Sequence, residues 1–354
     1  METRMHQIVP ESLIHDAGKG LRICVAGAGA IGITLATRMS MSGHHVSVLA
    51  RGESLAVIKK NGLSLTDAEG EHHAQVTVGT ADELPNADVL FLCAKAQDLE
   101  SMAEAVQPLI HSETLIVPFV NGIPWWYFQG AEGRHAGRTV LAVDPRQRLK
   151  RLLPGQRVIG AVTTITAERL APGVARTRNP LRCVIGEIDH RRSDRTDWLA
   201  ALLADSGIAT RVAERIRDAL WTKVIANLCS NPLSVVTGAT LRDVCGDPSL
   251  SIVSRQLVDE GLLVAASFGA RLELDPSSLL AMGASMGDFK TSMLQDYEKG
   301  LPLELAAICE AVMELGELEG ISMPFTRTIT ILSQFKSNMR QRAPYVQLDR
   351  TNAA

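Results

Sequence analysis

Histidine runs out early in this chain of 354 residues: all nine lie at or before His190, so the C-terminal part has no imidazole for acid–base work and no His-rich metal site. Lysine is the best proton donor left there. Basic charge is not in excess either. The 36 Lys and Arg face 39 Asp and Glu, a formal charge of −3, which removes the footing for nucleic-acid or polybasic membrane binding. Aromatic residues make up only 4%, so the core is one of Ala, Leu, Val and Ile. Six cysteines, at 24, 93, 183, 229, 245 and 309, include no Cys-x-x-Cys pair and read as reduced core residues. No window approaches the ~18 uninterrupted apolar residues of a membrane-spanning helix. Residues 1–20 lack the apolar stretch of a signal peptide and read as a flexible extension of a cytoplasmic protein.

What is there is globular: 46% hydrophobic and 21% charged residues, in a chain more than twice the usual ~150 residues per domain. From Leu21, short apolar runs alternate with helix-period segments, the pattern of strand–helix–strand units on a parallel sheet. LRICVAG reads as a buried strand, Ala30 to Met41 as a helix, HVSVLA at 45–50 as a second strand and Glu53 to Lys60 as a helix. A hairpin follows, then a strand from Ala87, a helix from Leu99 to Ile110 and a strand from Thr114. Residues 158–188 alternate with period two and predict antiparallel strands appended to the sheet. Beyond Val212 helical periodicity takes over, ending in a polar tail. The expected division is an extension at 1–20, an α/β domain at 21–212, an all-α domain at 213–338 and a tail at 339–354.

Gly27-Ala28-Gly29-Ala30-Ile31-Gly32 directly follows a strand and opens a helix, the context in which this spacing marks a dinucleotide site. Gly27 permits the tight turn, Gly29 lets a pyrophosphate reach the backbone, and Gly32 allows close helix–sheet packing. The second strand ends at Leu49-Ala50-Arg51 without the carboxylate that normally binds an NAD ribose. Arg51 is suited to fork onto a 2′-phosphate, which favours NADP; the competing readings are a solvated loop charge and interference from Glu53.

Lys223, Asn227 and Asn231 recur at i, i+4 and i+8 and share one face of a helix that Leu220, Trp221, Val224, Ile225 and Leu228 make apolar elsewhere. A buried lysine is unfavourable unless partnered. The ladder is either a cleft-facing substrate site or a polar seam between domains, with Pro232 ending or kinking the helix at Asn231. Glu304 falls in the first turn of a later helix, where the helix dipole alone would favour an acid. Asn121-Gly122 and Lys95 end adjacent strands on the cofactor side, although Asn-Gly is also a common turn. Trp125-Trp126-Tyr127-Phe128 read as local core.

Taken in order, GAGAIG at 27–32, the strand-end Arg51, AKAQD from 94, VNGIP from 120, WTKVIANLCSNPLS from 221 and TSMLQD from 291 with Glu304 resemble the ketopantoate reductase (2-dehydropantoate 2-reductase) family. The resemblance implies a Rossmann-type dinucleotide-binding α/β domain followed by an all-α C-terminal domain, and NADPH-dependent reduction of a 2-oxo acid. It implies Lys223 as the acid that protonates the carbonyl oxygen and Glu304 as the group binding the substrate hydroxyl. Asn227, Asn231 and Ser292 would hold the substrate, with Asn121 and Lys95 lining the site beside the nicotinamide. The cofactor would rest on Gly27, Gly29, Ala30, Ile31, Gly32, Arg51, Lys95 and Asn121, with no metal. Two departures bear on the substrate: Ile123-Pro124 and the aromatic cluster after Asn121-Gly122, and Leu-Ala-Ala-Ile-Cys-Glu after Glu304, where family members often carry Asp and Asn. The alternatives are a related reductase or 3-hydroxyacid dehydrogenase acting on another small acid, and a non-catalytic NADP(H)-sensing protein. Neither nucleic acid nor membrane is an expected partner, and a homodimer is one option for assembly.

Overall fold

The computed structural model describes residues 21–342, so the expected extension and all but the first four residues of the expected tail lie outside the described residues. Two compact units divide after Lys223.

The first unit runs β1 (Arg22–Ala26), α1 (Ala30–Met41), β2 (His45–Leu49), α2 (Gly52–Asn61), β3 (Leu63–Asp67), β4 (Gly70–Ala74), β5 (Thr77–Gly79), β6 (Ala87–Leu92), α3 (Leu99–Ala105) and β7 (Ile110–Pro118). It continues with α4 (Arg148–Leu152), β8 (Ile159–Thr163), β9 (Ala167–Ala171), β10 (Val174–Thr177), β11 (Arg182–Glu187), α5 (Asp194–Asp205) and β12 (Ala209–Val212). Five strands form a parallel sheet in the order β5-β2-β1-β6-β7. Beyond their first residues its central strands are apolar because both faces are covered, and Ile23–Ala26 and Val89–Leu92 are buried without a break.

The strands expected to extend this sheet do not join it. β9 and β10 pair with the β3–β4 hairpin in a sheet ordered β4-β3-β10-β9, and β8 and β11 form a third sheet with β12. One bridge, Ile116 to Val158, is the isolated link to the parallel sheet. For β9 the reason is amphipathicity: it is largely exposed and so cannot enter a layer buried on two faces.

The aromatic run after β7 is core: Trp125, Trp126, Tyr127 and Phe128 are 1–2% exposed. Arg217 holds it. Its buried guanidinium donates to the Tyr127 carbonyl at 2.6 and 2.9 Å, to that of Gln129 at 2.9 Å and to that of Ile188 at 2.5 Å, and it stacks over Trp126 and Tyr127. Trp221 Nε1 adds a bond of 2.8 Å to the Tyr127 hydroxyl.

His190 Nε2 lies 3.0 Å from Arg217 Nη1 and, facing an obligate donor, accepts. Burial, then the charges of Arg217 and Arg215, push its pKa down to about 4. The folded value lies below that of an unfolded histidine, about 6.5, so the unfolded chain binds the extra proton first and stability falls as pH drops from about 6.5 towards 4. His190 has φ 62, a left-handed conformation that asparagine tolerates. The expected result for His190→Asn is a shallower loss of Tm between pH 7 and pH 5; an unchanged slope would assign the acid sensitivity to other groups.

The second unit is helical. α6 (Ile216–Thr237) crosses the division between the units and is followed by α7 (Leu241–Gly246), α8 (Leu250–Ser267), α9 (Pro276–Ser285) and α10 (Ser292–Glu298). A π-helical turn over Ala306–Glu310 then leads into α11 (Ala311–Leu318), and α12 spans Pro324–Arg342. Glu260 on α8 starts α12 from outside, accepting from the backbone of Phe325 at 2.9 Å and of Thr326 at 2.8 Å. Of the two expected outcomes at Pro232, ending or kinking the helix at Asn231, the first does not occur: α6 continues through it. The helix survives because α12 supports it: Ser333 Oγ donates to the Pro232 carbonyl at 2.9 Å, and Lys336 Nζ donates to the Val235 and Val236 carbonyls at 2.8 and 3.0 Å. These bonds offset the lost proline N–H, and Gly238 (φ 76) closes the helix a turn and a half later.

Candidate active site

The glycine turn is built as its spacing implies. Gly27 has φ 113, and a Cβ there would meet the Cys93 carbonyl at 2.4 Å; a Cβ at Gly32 would stand 1.9 Å from the Gly27 carbonyl. Both positions are closed to any side chain by the protein itself. Gly29 differs, since its Cβ would have only the Cys93 carbonyl near it, at 3.9 Å, and its φ of −79° suits any residue. Its smallness therefore serves nothing in the protein and leaves a gap in front of α1. No side chain caps that helix and no acid occupies its first turn, so backbone N–H groups from Ala30 onward face that gap as anion donors. The turn sits at the carboxyl ends of β1 and β6, where strand order reverses, the crevice position of open α/β sheets. These residues fit the pyrophosphate of a dinucleotide.

Arg51 follows β2 along the same edge, exposed at the start of α2, and Glu53 is exposed in the first turn of that helix. Lys95 and Asn121 each lie three residues beyond the ends of the adjacent parallel strands β6 and β7, both partly buried, with Gly122 turning at φ 81. The first unit thus collects every cofactor-side residue named from the sequence at one sheet edge.

Lys223, Asn227 and Asn231 occupy successive turns of α6. Lys223 is half-buried and makes no hydrogen bond or ion pair among the described residues, and loss of water pushes its pKa below that of an ordinary lysine. Asn227 is buried. Asn231 is 3% exposed, and its Nδ2 has no hydrogen-bond partner among the described residues. An ammonium and a buried amide donor on one helix face, both without acceptors in the protein, are groups that an oxygen-rich ligand would satisfy.

Ser292 is the exposed first residue of α10. Glu304 is 5% exposed and stands just ahead of its helix rather than within the first turn, its carbonyl accepting from Ile308 N at 3.1 Å. The turn that follows is π rather than α, a form frequent at functional sites. Sequence reasoning passed over Thr291 and Ser234, which join α10 to α6 through a 2.6 Å hydroxyl contact. A threonine directly before a helix is a recognisable cap signal, but nothing in the sequence pairs it with Ser234.

A phosphate-binding turn at the switch point of a parallel sheet, and an unpartnered lysine on a polar helix face, define a nicotinamide-dinucleotide oxidoreductase. Two family profiles match: Ketopantoate reductase PanE/ApbA over residues 23–190 and Ketopantoate reductase PanE/ApbA C terminal over residues 215–337. The 2-dehydropantoate 2-reductase of Mesorhizobium japonicum is 36% identical over 300 residues, 84% of this chain and 92% of that one. The crystal structure of 2-dehydropantoate 2-reductase from Geobacter metallireducens superposes with a TM-score of 0.79 at 25% identity, covering 89% of this chain and 99% of that one. A ternary structure of D-mandelate dehydrogenase with NADH and anilino(oxo)acetate shares the fold, with a TM-score of 0.78 at 22% identity over 90% and 99% of the two chains. The chain belongs to the ketopantoate reductase family, whose members are oxidoreductases acting on CH–OH groups. No helix among the described residues is long and apolar enough to cross a membrane.

Proposed function

We propose that the protein reduces a small 2-oxo acid with NADPH, and that the acid is 2-dehydropantoate, converted to pantoate for pantothenate and coenzyme A synthesis in the cytoplasm. The observation that carries this reading is the desolvated, unpartnered ammonium of Lys223 in line with the free amide donor of Asn231. Bound NADPH supplies a hydride to the substrate's carbonyl carbon. Lys223 then has one task, to give its proton to the carbonyl oxygen as negative charge develops there, and its lowered pKa makes it a better acid than a solvated lysine. Asn227, Asn231 and Ser292 orient the acid, Glu304 accepts from its hydroxyl, and Asn121 and Lys95 flank the reacting carbon. A homodimer is supported by Phe325, Ile331, Phe335 and Met339, whose side chains are all exposed on α12.

Following NADPH absorbance against a panel of 2-oxo acids tests the assignment. Ketopantoate should give the largest kcat/KM; a much larger value for another acid would move the protein to a related reductase, and no substrate-dependent oxidation would leave a cofactor-sensing role. The two departures after Gly122 and Glu304 make the panel worth running.

Cofactor choice rests on Arg51. With no carboxylate at the end of β2, its exposed guanidinium is free to take a 2′-phosphate through charge-assisted bonds. Arg51→Ala should weaken NADPH by about 1.5–3 kcal/mol and leave NADH nearly unchanged in fluorescence titrations. Equal losses for both would remove Arg51 from the site.

A further inference from the structure

Resting on the reading of Asn231 and Ser292 as substrate groups, we infer that Ser234 and Thr291 are positioning residues that hold those two groups in register. The hydrogen-bond directions follow from counting hydrogens. The Asn231 carbonyl can only accept, so the single Ser234 hydroxyl hydrogen goes to it, at 2.7 Å. Ser234 Oγ must then accept across the 2.6 Å contact, and Thr291 supplies that hydrogen. Thr291 Oγ1 in turn accepts from Leu294 N at 3.1 Å and caps α10. Both hydroxyls are buried, at 0% and 3% exposure, so water does not compete for these bonds.

The chain therefore runs from the start of α10 to the backbone of Asn231, and each end carries a substrate group. Ser292 follows the cap directly, and Asn231 holds the unpartnered Nδ2. The Ser230 hydroxyl, bonded back to the Ala226 carbonyl at 2.6 Å, lies 3.4 Å from Asn231 Oδ1 on the other side of the amide. A donor without an acceptor is tolerated in a buried position when a ligand supplies one, and the ligand class that fits is an acid presenting oxygens to N–H and O–H groups. The fixed separation between α6 and α10 sets the substrate length that can engage both.

The test is steady-state kinetics on the full-length enzyme, with ketopantoate or whichever 2-oxo acid the panel selects. Thr291→Val removes the hydroxyl and keeps the shape; the expected result is a KM for the acid raised about 5- to 30-fold, kcat within about threefold and the NADPH KM unchanged. Thr291→Ser restores the hydroxyl and should restore KM. The double variant Ser234→Ala, Thr291→Val should raise KM no further than the larger single, because both break one chain. An unchanged KM in Thr291→Val, with Asn231→Ala still raising it, overturns the inference and leaves the substrate reading standing. If Asn231→Ala also leaves KM unchanged, both fall. Should the valine variant not fold, Ser234→Ala leaves the cap of α10 in place and carries the same test, with an unchanged KM again decisive against the inference.

Discussion

Replacing Lys223 by alanine is expected to lower kcat/KM by roughly 10²- to 10⁴-fold, the range for loss of a general acid, while NADPH binding is largely kept. The size follows from the lack of a substitute. Among residues after His190 there is no imidazole, and the neighbours of Lys223 on its helix face are asparagines, which orient but do not donate a proton in exchange for charge. The pH profile supplies a second reading of the same group. On the proposed mechanism reduction needs the protonated amine, so activity is expected to fall as pH rises through its pKa. Burial lowers that pKa, so the fall begins at lower pH than an ordinary lysine would allow. The alanine variant should lack this alkaline limb. A drop of only a few-fold, or a limb that persists without the amine, would return Lys223 to the role of a lysine reaching solvent past an apolar helix.

Arg217→Met is expected to be strongly destabilising, by about 3–5 kcal/mol. The substitution keeps the length of the side chain and removes its charge, and it strands the carbonyls of Tyr127, Gln129 and Ile188 in a buried setting. Burial lowers the guanidinium pKa to about 10, which still leaves it fully charged at neutral pH. Thermal unfolding should show Tm lower by roughly 6–20 °C for a domain of this size. Arg217→Lys keeps a charge but loses the fork and should fall between. A methionine variant as stable as the parent would mean that the aromatic run folds without its clamp.

The two leading expectations differ in how visible they were beforehand. Lys223 was legible because a polar residue repeated every four positions breaks an otherwise apolar helix, and that break is written in the sequence. Arg217 was not, since a charged residue near a helix start reads as solvent-facing, and nothing in its neighbours says that three backbone carbonyls from distant segments converge on it. The glycine turn and α1 were legible to the residue because strand, turn and helix are contiguous and Gly27 and Gly32 each answer to a local steric need. Strand pairing at 158–188 was not legible, because period-two alternation specifies a strand and its buried face but not its neighbour. That α6 would continue past Pro232 was not legible for the same kind of reason: the groups that support it there, Ser333 and Lys336, lie about a hundred residues away.

The interlock of Gly27 and Gly32 has a consequence for how this enzyme can diversify. Any mutation at either glycine collides with backbone, so the pyrophosphate seat is frozen. On the proposed reading, discrimination between the two nicotinamide coenzymes falls to Arg51, an exposed residue outside that interlock. Coenzyme preference is therefore expected to change readily in evolution or in the laboratory, one codon at a time, without disturbing the chemistry performed by the other half of the protein.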